Sequence, residues 1–285
     1  MKLIDSHAHL DFEDFHDDFD AVLRRADDAG VKKIINIGAS LDRSRASVVL
    51  ADNYENIYAV VGVHPEEAES VDFDTIHGEL LEIAQSSNKV VGIGETGLDY
   101  YARPAVIPAK AGIQDSGVLD PSSWAGMTKE NKERQIKLFE THIEVARHLG
   151  LPLIVHIRNG EDEEAVATAY ELLKKKGHNK GVIHCFTLNA DWAKRFTDLG
   201  FCLGFTGIIT YKNADDIRDA VRATSLDRIL IETDCPFLAP QKYRGQRNEP
   251  AYVVEVAEKI AEIKALPLEK IAEQTTMNVE KLFGI

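Results

Sequence analysis

Leu3-Ile4-Asp5-Ser6-His7-Ala8-His9-Leu10 is the stretch from which the fold and the chemistry of this chain can be read outward. It opens as a short apolar strand, and strand side chains alternate between faces, so His7 and His9 point the same way. Two imidazoles about 7 Å apart on one strand face suit a metal ion, because neutral imidazole ligates Zn, Fe, Mn or Co. A single His-x-His pair is a weak signal. It gains weight because similar apolar runs, ending in ligand-type residues, recur down the chain.

Those runs occupy residues 3–7, 33–37, 57–63, 90–95, 153–156, 182–184, 201–205 and 228–232. Helical patterns fall between them, for example at 19–29, 76–84, 132–149, 164–175, 190–199 and 214–223. Gly30, Gly150, Gly177 and Gly200 stand just past helical stretches, where a left-handed position after the last turn favours glycine. Strand–helix alternation predicts parallel pairing, and eight such units close most economically into an α/β fold of the (β/α)8 TIM-barrel type. One domain over residues 1–285 is expected. The runner-up is an open doubly wound sheet, but no glycine-rich phosphate loop follows the first strand. Two further helical patterns, 252–264 and 268–282, are expected to cover the last part of the barrel wall. Residues 102–127 break the rhythm, with three prolines, three glycines and no clear period. They read as an insertion tolerated in a surface loop, since loop length costs little free energy; a lid over the active face is the alternative.

The chain has 285 residues, 44% hydrophobic and 28% charged, which describes a soluble globular protein with ample core material. Its 33 basic and 47 acidic residues leave a net charge of −14. That charge opposes nonspecific coating of duplex DNA, where affinity comes mostly from phosphate neutralisation by Lys and Arg. A nuclease remains open, because bound divalent ions supply local positive charge. Cys185, Cys202 and Cys235 are odd in number and form no C-x-x-C pair, which fits a reducing cytoplasmic setting. No signal-peptide pattern and no 18-residue apolar run occurs, so no membrane partner is expected. A monomer is expected.

Barrels of this type carry their active sites at the C-terminal ends of the strands. Here those ends offer His7 and His9, His64, Glu95, His156, His184 and, just past the eighth run, Asp234. Each alone has an ordinary reading, as a buried histidine satisfied by a carbonyl or a carboxylate paired with arginine. Burying all of them at one mouth is costly unless cations join them, since desolvated carboxylates need partners. Four histidines, one Glu and one Asp suit a binuclear centre bridged by Glu95.

Six motifs then stand in order: Asp5-Ser6-His7-Ala8-His9-Leu10, Gly62-Val63-His64-Pro65, Gly92-Ile93-Gly94-Glu95-Thr96-Gly97-Leu98-Asp99-Tyr100-Tyr101, His156-Ile157-Arg158, His184-Cys185-Phe186 and Glu232-Thr233-Asp234-Cys235-Pro236. Together they resemble the TatD family of metal-dependent deoxyribonucleases, as does the later Arg244-Gly245-Gln246-Arg247-Asn248-Glu249-Pro250. The resemblance covers essentially the whole chain except residues 102–127. It implies an amidohydrolase-like barrel in which His7, His9 and Asp234 hold one metal, Glu95 bridges to a second, and His156 and His184 complete the second. It places His64 as a substrate contact or a support behind the ligands, and Arg158 and Glu232 behind the ligands or beside phosphate. The family often has another histidine after the His-Pro pair. Glu66 stands there in this chain, which would weaken a phosphate contact at that point.

The reaction expected is phosphodiester hydrolysis by a water activated between two divalent ions, with Asp234 as general base. Mg, Mn and Zn are all compatible with such mixed ligands. Arg158 and the cluster Lys242, Arg244 and Arg247 are candidates to grip phosphates, and Tyr100, Tyr101 and Tyr243 to stack bases. No recognition helix, zinc knuckle or long basic stripe is present, so base-specific reading is not expected. A small acidic enzyme with a mouth-shaped site is expected to take DNA strand ends, single-stranded ones included, and the resemblance implies 3′-to-5′ exonuclease action. The alternative is a two-metal hydrolase of ester or amide bonds, such as a D-aminoacyl-tRNA deacylase. A scaffold with structural metal is disfavoured, because structural zinc sites are usually closed and mononuclear.

Overall fold

The eight apolar runs form strands β1 (Leu3–Ala8), β2 (Val31–Ile37), β3 (Ile57–Val61), β4 (Val90–Asp99), β5 (Leu153–Arg158), β6 (Gly181–Ile183), β7 (Cys202–Phe205) and β8 (Ile229–Ile231). In this computed structural model, which describes residues 1–101 and 127–285, they pair in parallel in chain order. The last strand returns to the first through a parallel bridge between Ala8 and Cys235. There the His9 N–H donates to the Cys235 carbonyl and the Asp234 N–H to the His7 carbonyl, each at 2.9 Å. The sheet is thus a nearly closed (β/α)8 barrel, as the alternation predicts. The reading of residues 102–127 as insertion or lid falls, apart from Met127, outside the described residues.

Helices α1 (Phe19–Asp28), α2 (Leu41–Asn53), α3 (Ile76–Gln85), α4 (Lys129–Leu149), α5 (Glu164–Lys176), α6 (Ala190–Asp198) and α7 (Asp215–Ala223) lie between successive strands. Gly150 and Gly177 end α4 and α5 at φ +68° and +66°, a conformation that costs glycine nothing. Among the described residues, no helix is long and apolar enough to cross a membrane.

Two further helices follow β8: α8 (Val253–Lys264) and α9 (Leu268–Phe283). The sequence places both on the barrel wall, and α9 departs from that. Its Val279 and Phe283 join the cluster formed inside the strands by Ile4, Ile35, Val60, Val91, Ile154, Val182 and Leu230. The face of α9 therefore seals the barrel floor, opposite the strand ends that carry the candidate ligands. Apolar side chains inside a barrel need cover at the bottom, and a helix supplies it with its backbone bonds already satisfied.

One core histidine bears on the site. His142 of α4 is fully buried; its Nε2 accepts the Val63 N–H at 3.0 Å, and its Nδ1 donates to the Leu138 carbonyl at 2.8 Å. This fixes the neutral tautomer and pins the chain one residue before His64. Burial pushes the His142 imidazole down to about 4. The unfolded chain, whose imidazole has its ordinary value, then binds the extra proton between pH ~6.5 and ~4, so stability falls as pH falls through that window. The expected loss from this residue is about 2 kcal/mol by pH ~5. Urea unfolding at two pH values, compared with His142→Gln, measures it; an equal acid loss in the variant would assign the effect elsewhere.

Candidate metal centre

The strand ends bring His7, His9, Glu95, His156, His184 and Asp234 together. Each arrives by a different local route. His7 and His9 leave β1 on one face, with the His9 Nδ1 donating to the Ile37 carbonyl at 3.1 Å, which leaves its Nε2 free to act as a donor atom. Asp234 sits just past β8 at φ +57°, in the left-handed region that Asp tolerates better than most residues. Two groups hold it there: the bond to the His7 carbonyl, and Asp5, which accepts from the Thr233 hydroxyl at 2.6 Å and the Thr233 N–H at 2.9 Å. Burial pushes Asp5 up to about 7 despite those bonds.

The donor atoms of His7, His9 and Glu95 form a tight group, and the Asp234 carboxylate stands beside the two histidines. The His7 Nε2 lies 3.3 Å from the His9 Nε2, 3.5 Å from the Glu95 Oε2 and 3.6 Å from the Asp234 Oδ1. The His9 Nε2 lies 3.7 Å from the Glu95 Oε2 and 3.4 Å from the Asp234 Oδ1. Ligands about 2.1 Å from a shared ion at tetrahedral angles stand about 3.4 Å apart, so this spacing fits one metal ion. The other Glu95 oxygen faces a second group. Oε1 is 2.9 Å from the His156 Nδ1, 3.5 Å from the His184 Nε2 and 3.7 Å from the His64 Nε2. One buried carboxylate thus presents Oε2 to His7 and His9 and Oε1 to His156 and His184, the arrangement a bridging ligand needs.

Carboxylates stand behind two of the histidines. The His184 Nδ1 lies 2.9 Å from the Glu232 Oε1, and the His156 Nε2 lies 3.3 Å from the Asp99 Oδ2. Glu232 also accepts the Cys185 N–H at 2.6 Å, and Gly204 leaves it room, since a Cβ there would come within 2.4 Å of its Oε2. Burial by itself would lower both imidazoles. Asp99 and Glu95 outweigh it and raise His156 to about 10, and Glu232 and Glu95 raise His184 to about 9. Burial would likewise push Glu95 up, but His184, His64 and the bonded His156 hold it well below the usual carboxylate range. Asp234 is lowered in the same way, against burial, by its bond from His9 and by His184 and His7. Protons held in this way are what a divalent cation would displace on binding these carboxylates and imidazoles. Removing a support of this type typically weakens metal binding about 10- to 100-fold, and that is the loss expected of Glu232→Gln in a chelator competition. An unchanged affinity would mean that Glu232 does not orient His184.

Other residues singled out in the sequence fall at varied distances from this group. The His64 Nδ1 accepts the Glu66 N–H at 3.3 Å, which puts its proton on Nε2, the atom facing Glu95. Arg158 lies exposed with its guanidinium 3.9 Å from the centre of the Tyr101 ring. Arg244 is exposed over Tyr211 at 4.6 Å. Arg247 corrects the expectation of a phosphate grip: both of its terminal nitrogens are taken by the Asp18 carboxylate at 2.8 Å. Lys242 is tied to Glu255 at 2.7 Å. Tyr100 is buried and Tyr243 stacks on Tyr252 at 3.8 Å, so both are packing aromatics. Asp5 and Asp99 have supporting roles that the motifs alone do not assign. Asp99 shares the period-two face of β4 with Glu95, and that spacing was the signal available for it.

Fold and donor set together define a (β/α)8 barrel with a cluster at its mouth that fits metal. Residues 4–284 match the family described as TatD related DNase. An uncharacterized metal-dependent hydrolase of Bacillus subtilis, YabD, is 37% identical over 287 residues, covering 99% of each chain. Another from Escherichia coli, YcfH, is 36% identical over 288 residues, covering all of this chain and 97% of that one. The crystal structure of YjjV, a TatD homolog from Escherichia coli, superposes with a TM-score of 0.84 at 30% identity over 99% of this chain and 98% of that one. The chain belongs to the TatD family.

Proposed function

We propose that the chain is a metal-dependent hydrolase that shortens single-stranded DNA from its 3′ ends. The observation that carries this reading is the split use of Glu95, one oxygen to each of two histidine groups, which suits two ions sharing a carboxylate. His7, His9 and Asp234 would hold one ion, and His156 and His184 the other. Ions so held polarise a phosphoryl oxygen and bring the acidity of water toward neutrality.

The chain's own residues supply the rest. Asp234, held below the usual carboxylate range and a seventh exposed at its side chain, is placed to accept a proton from water at the mouth. His64 carries its proton on the inward nitrogen, which suits donation to a phosphate oxygen rather than metal ligation. Arg158 keeps its guanidinium exposed two residues beyond His156 on β5, where it can pair with a neighbouring phosphate. Glu95, Asp99, Asp234 and Glu232 outnumber the protonated His156 and His184 at the mouth, so without bound cations it offers a polyanion no net positive charge. This supports strict metal dependence.

The test is digestion of end-labelled single-stranded DNA by metal-free protein reconstituted separately with Mg, Mn and Zn. Stepwise shortening from the 3′ end, lost in His156→Ala, is the expected result. Intact strands with every metal would overturn the proposal.

A further inference from the structure

Six large apolar side chains are exposed among the described residues, and only two of them, Tyr101 and Phe237, are aromatic. Both flank the metal centre. Phe237 follows Asp234 by three residues and is 50% exposed. Its ring meets Phe12 edge-to-face at 5.6 Å, and the His9 ring lies 5.1 Å from Phe12 and 6.4 Å from Phe237. The Arg43 guanidinium lies over the Phe12 ring at 3.8 Å and is itself bonded to Asp11 at 3.0 Å.

The backbone beneath Phe237 is held from two directions. Its N–H donates to the Asp234 carbonyl at 3.0 Å, and its carbonyl accepts from the buried Asn248 side chain at 2.6 Å. Asn248 also donates to the Thr233 carbonyl at 2.8 Å, so one amide ties the aromatic residue to the segment that carries Asp234. An exposed ring on a fixed backbone, backed by a second ring and a cation, is a flat apolar surface prepared in advance for a planar partner.

We infer that the exposed Phe237 ring, braced edge-to-face by Phe12, is a stacking platform for the nucleobase next to the scissile phosphodiester. The inference rests on the phosphodiester reading above and adds what the site recognises: a planar heterocycle, accepted without regard to its identity. Stacking uses the face that every base presents, whereas hydrogen-bond readout would need polar edges that this pair of rings lacks. Arg43, held by Asp11, covers the electron-rich ring of Phe12 and keeps it in place. The substrate is therefore held at two points, phosphate at the donor cluster and base on Phe237.

The experiment compares single strands whose two terminal 3′ nucleotides carry bases with strands in which those two are abasic, using the metal-loaded full chain. Wild type is expected to prefer the base-bearing end by about 10- to 100-fold in kcat/KM, mainly through KM. Phe237→Ala should bring that ratio close to one, and Phe237→Trp should keep or widen it. Equal cleavage of the two strands by wild type overturns the platform while leaving hydrolysis standing, as does a full ratio retained by Phe237→Ala. Cleavage of neither strand overturns the phosphodiester reading, and the platform falls with it. Circular dichroism of both variants shows that the fold is kept, as expected for a half-exposed ring.

Discussion

Glu95→Gln is expected to reduce hydrolysis by about three orders of magnitude or more, the effect of withdrawing several kcal/mol of cation-derived stabilisation from the transition state. The amide keeps the size of the side chain but loses its charge, and one of its two ends becomes a donor. That donor would face either His7 and His9 or His156 and His184, whichever way the amide turns. One of the two donor groups is therefore lost in either orientation. Elemental analysis after dialysis is expected to find less metal than in wild type, and thermal melting without metal should show a folded protein. Wild-type turnover in this variant would remove Glu95 from the centre altogether.

Asp234→Asn is the second large effect, a fall in kcat of about 10²- to 10⁴-fold, the range that a positioned proton acceptor contributes. Asparagine is the informative substitution, because it tolerates the left-handed backbone at φ +57° as aspartate does. The strand end and the bond to the His7 carbonyl should therefore persist. The acid limb of the kcat profile should flatten in the variant, since the group titrating there has gone. If the variant instead lost metal and kept its residual pH profile, Asp234 would be a ligand without a proton-transfer role.

The barrel and most of its metal-fitting mouth were legible in the sequence because both rest on short-range regularities. Apolar runs with β-branched residues gave all eight strands, and the residues ending them gave the cluster around Glu95. What escaped notice has a physical reason in each case. Helix α2 turns Ser44 and Ser47 to the core, where they bond to Gly62 and Asn36, so its buried face carries little apolar signal. Strand β4 runs on past residue 95 to Asp99, and Thr96 and Gly97, which interrupt the apolar run, pair with β5. Arg247 looked free to meet phosphate because its partner, Asp18, lies 229 residues away along the chain. The role of α9 at the barrel floor could not be told from a wall position, since either use needs the same amphipathic pattern.

The floor made by α9 has a consequence for how the chain is born. Thr276 donates to the Lys2 carbonyl, Lys2 pairs with Glu280, and Val279 and Phe283 fill the space beneath Ile4. Residues 278 positions apart along the sequence share one contact region. A nascent chain on the ribosome thus carries its histidines long before it has a sealed interior, and the strands wait, half-assembled, for the residues of α9 to emerge. Slow closure of the barrel, and a folding rate sensitive to substitutions in α9, are expected from so long a sequence separation.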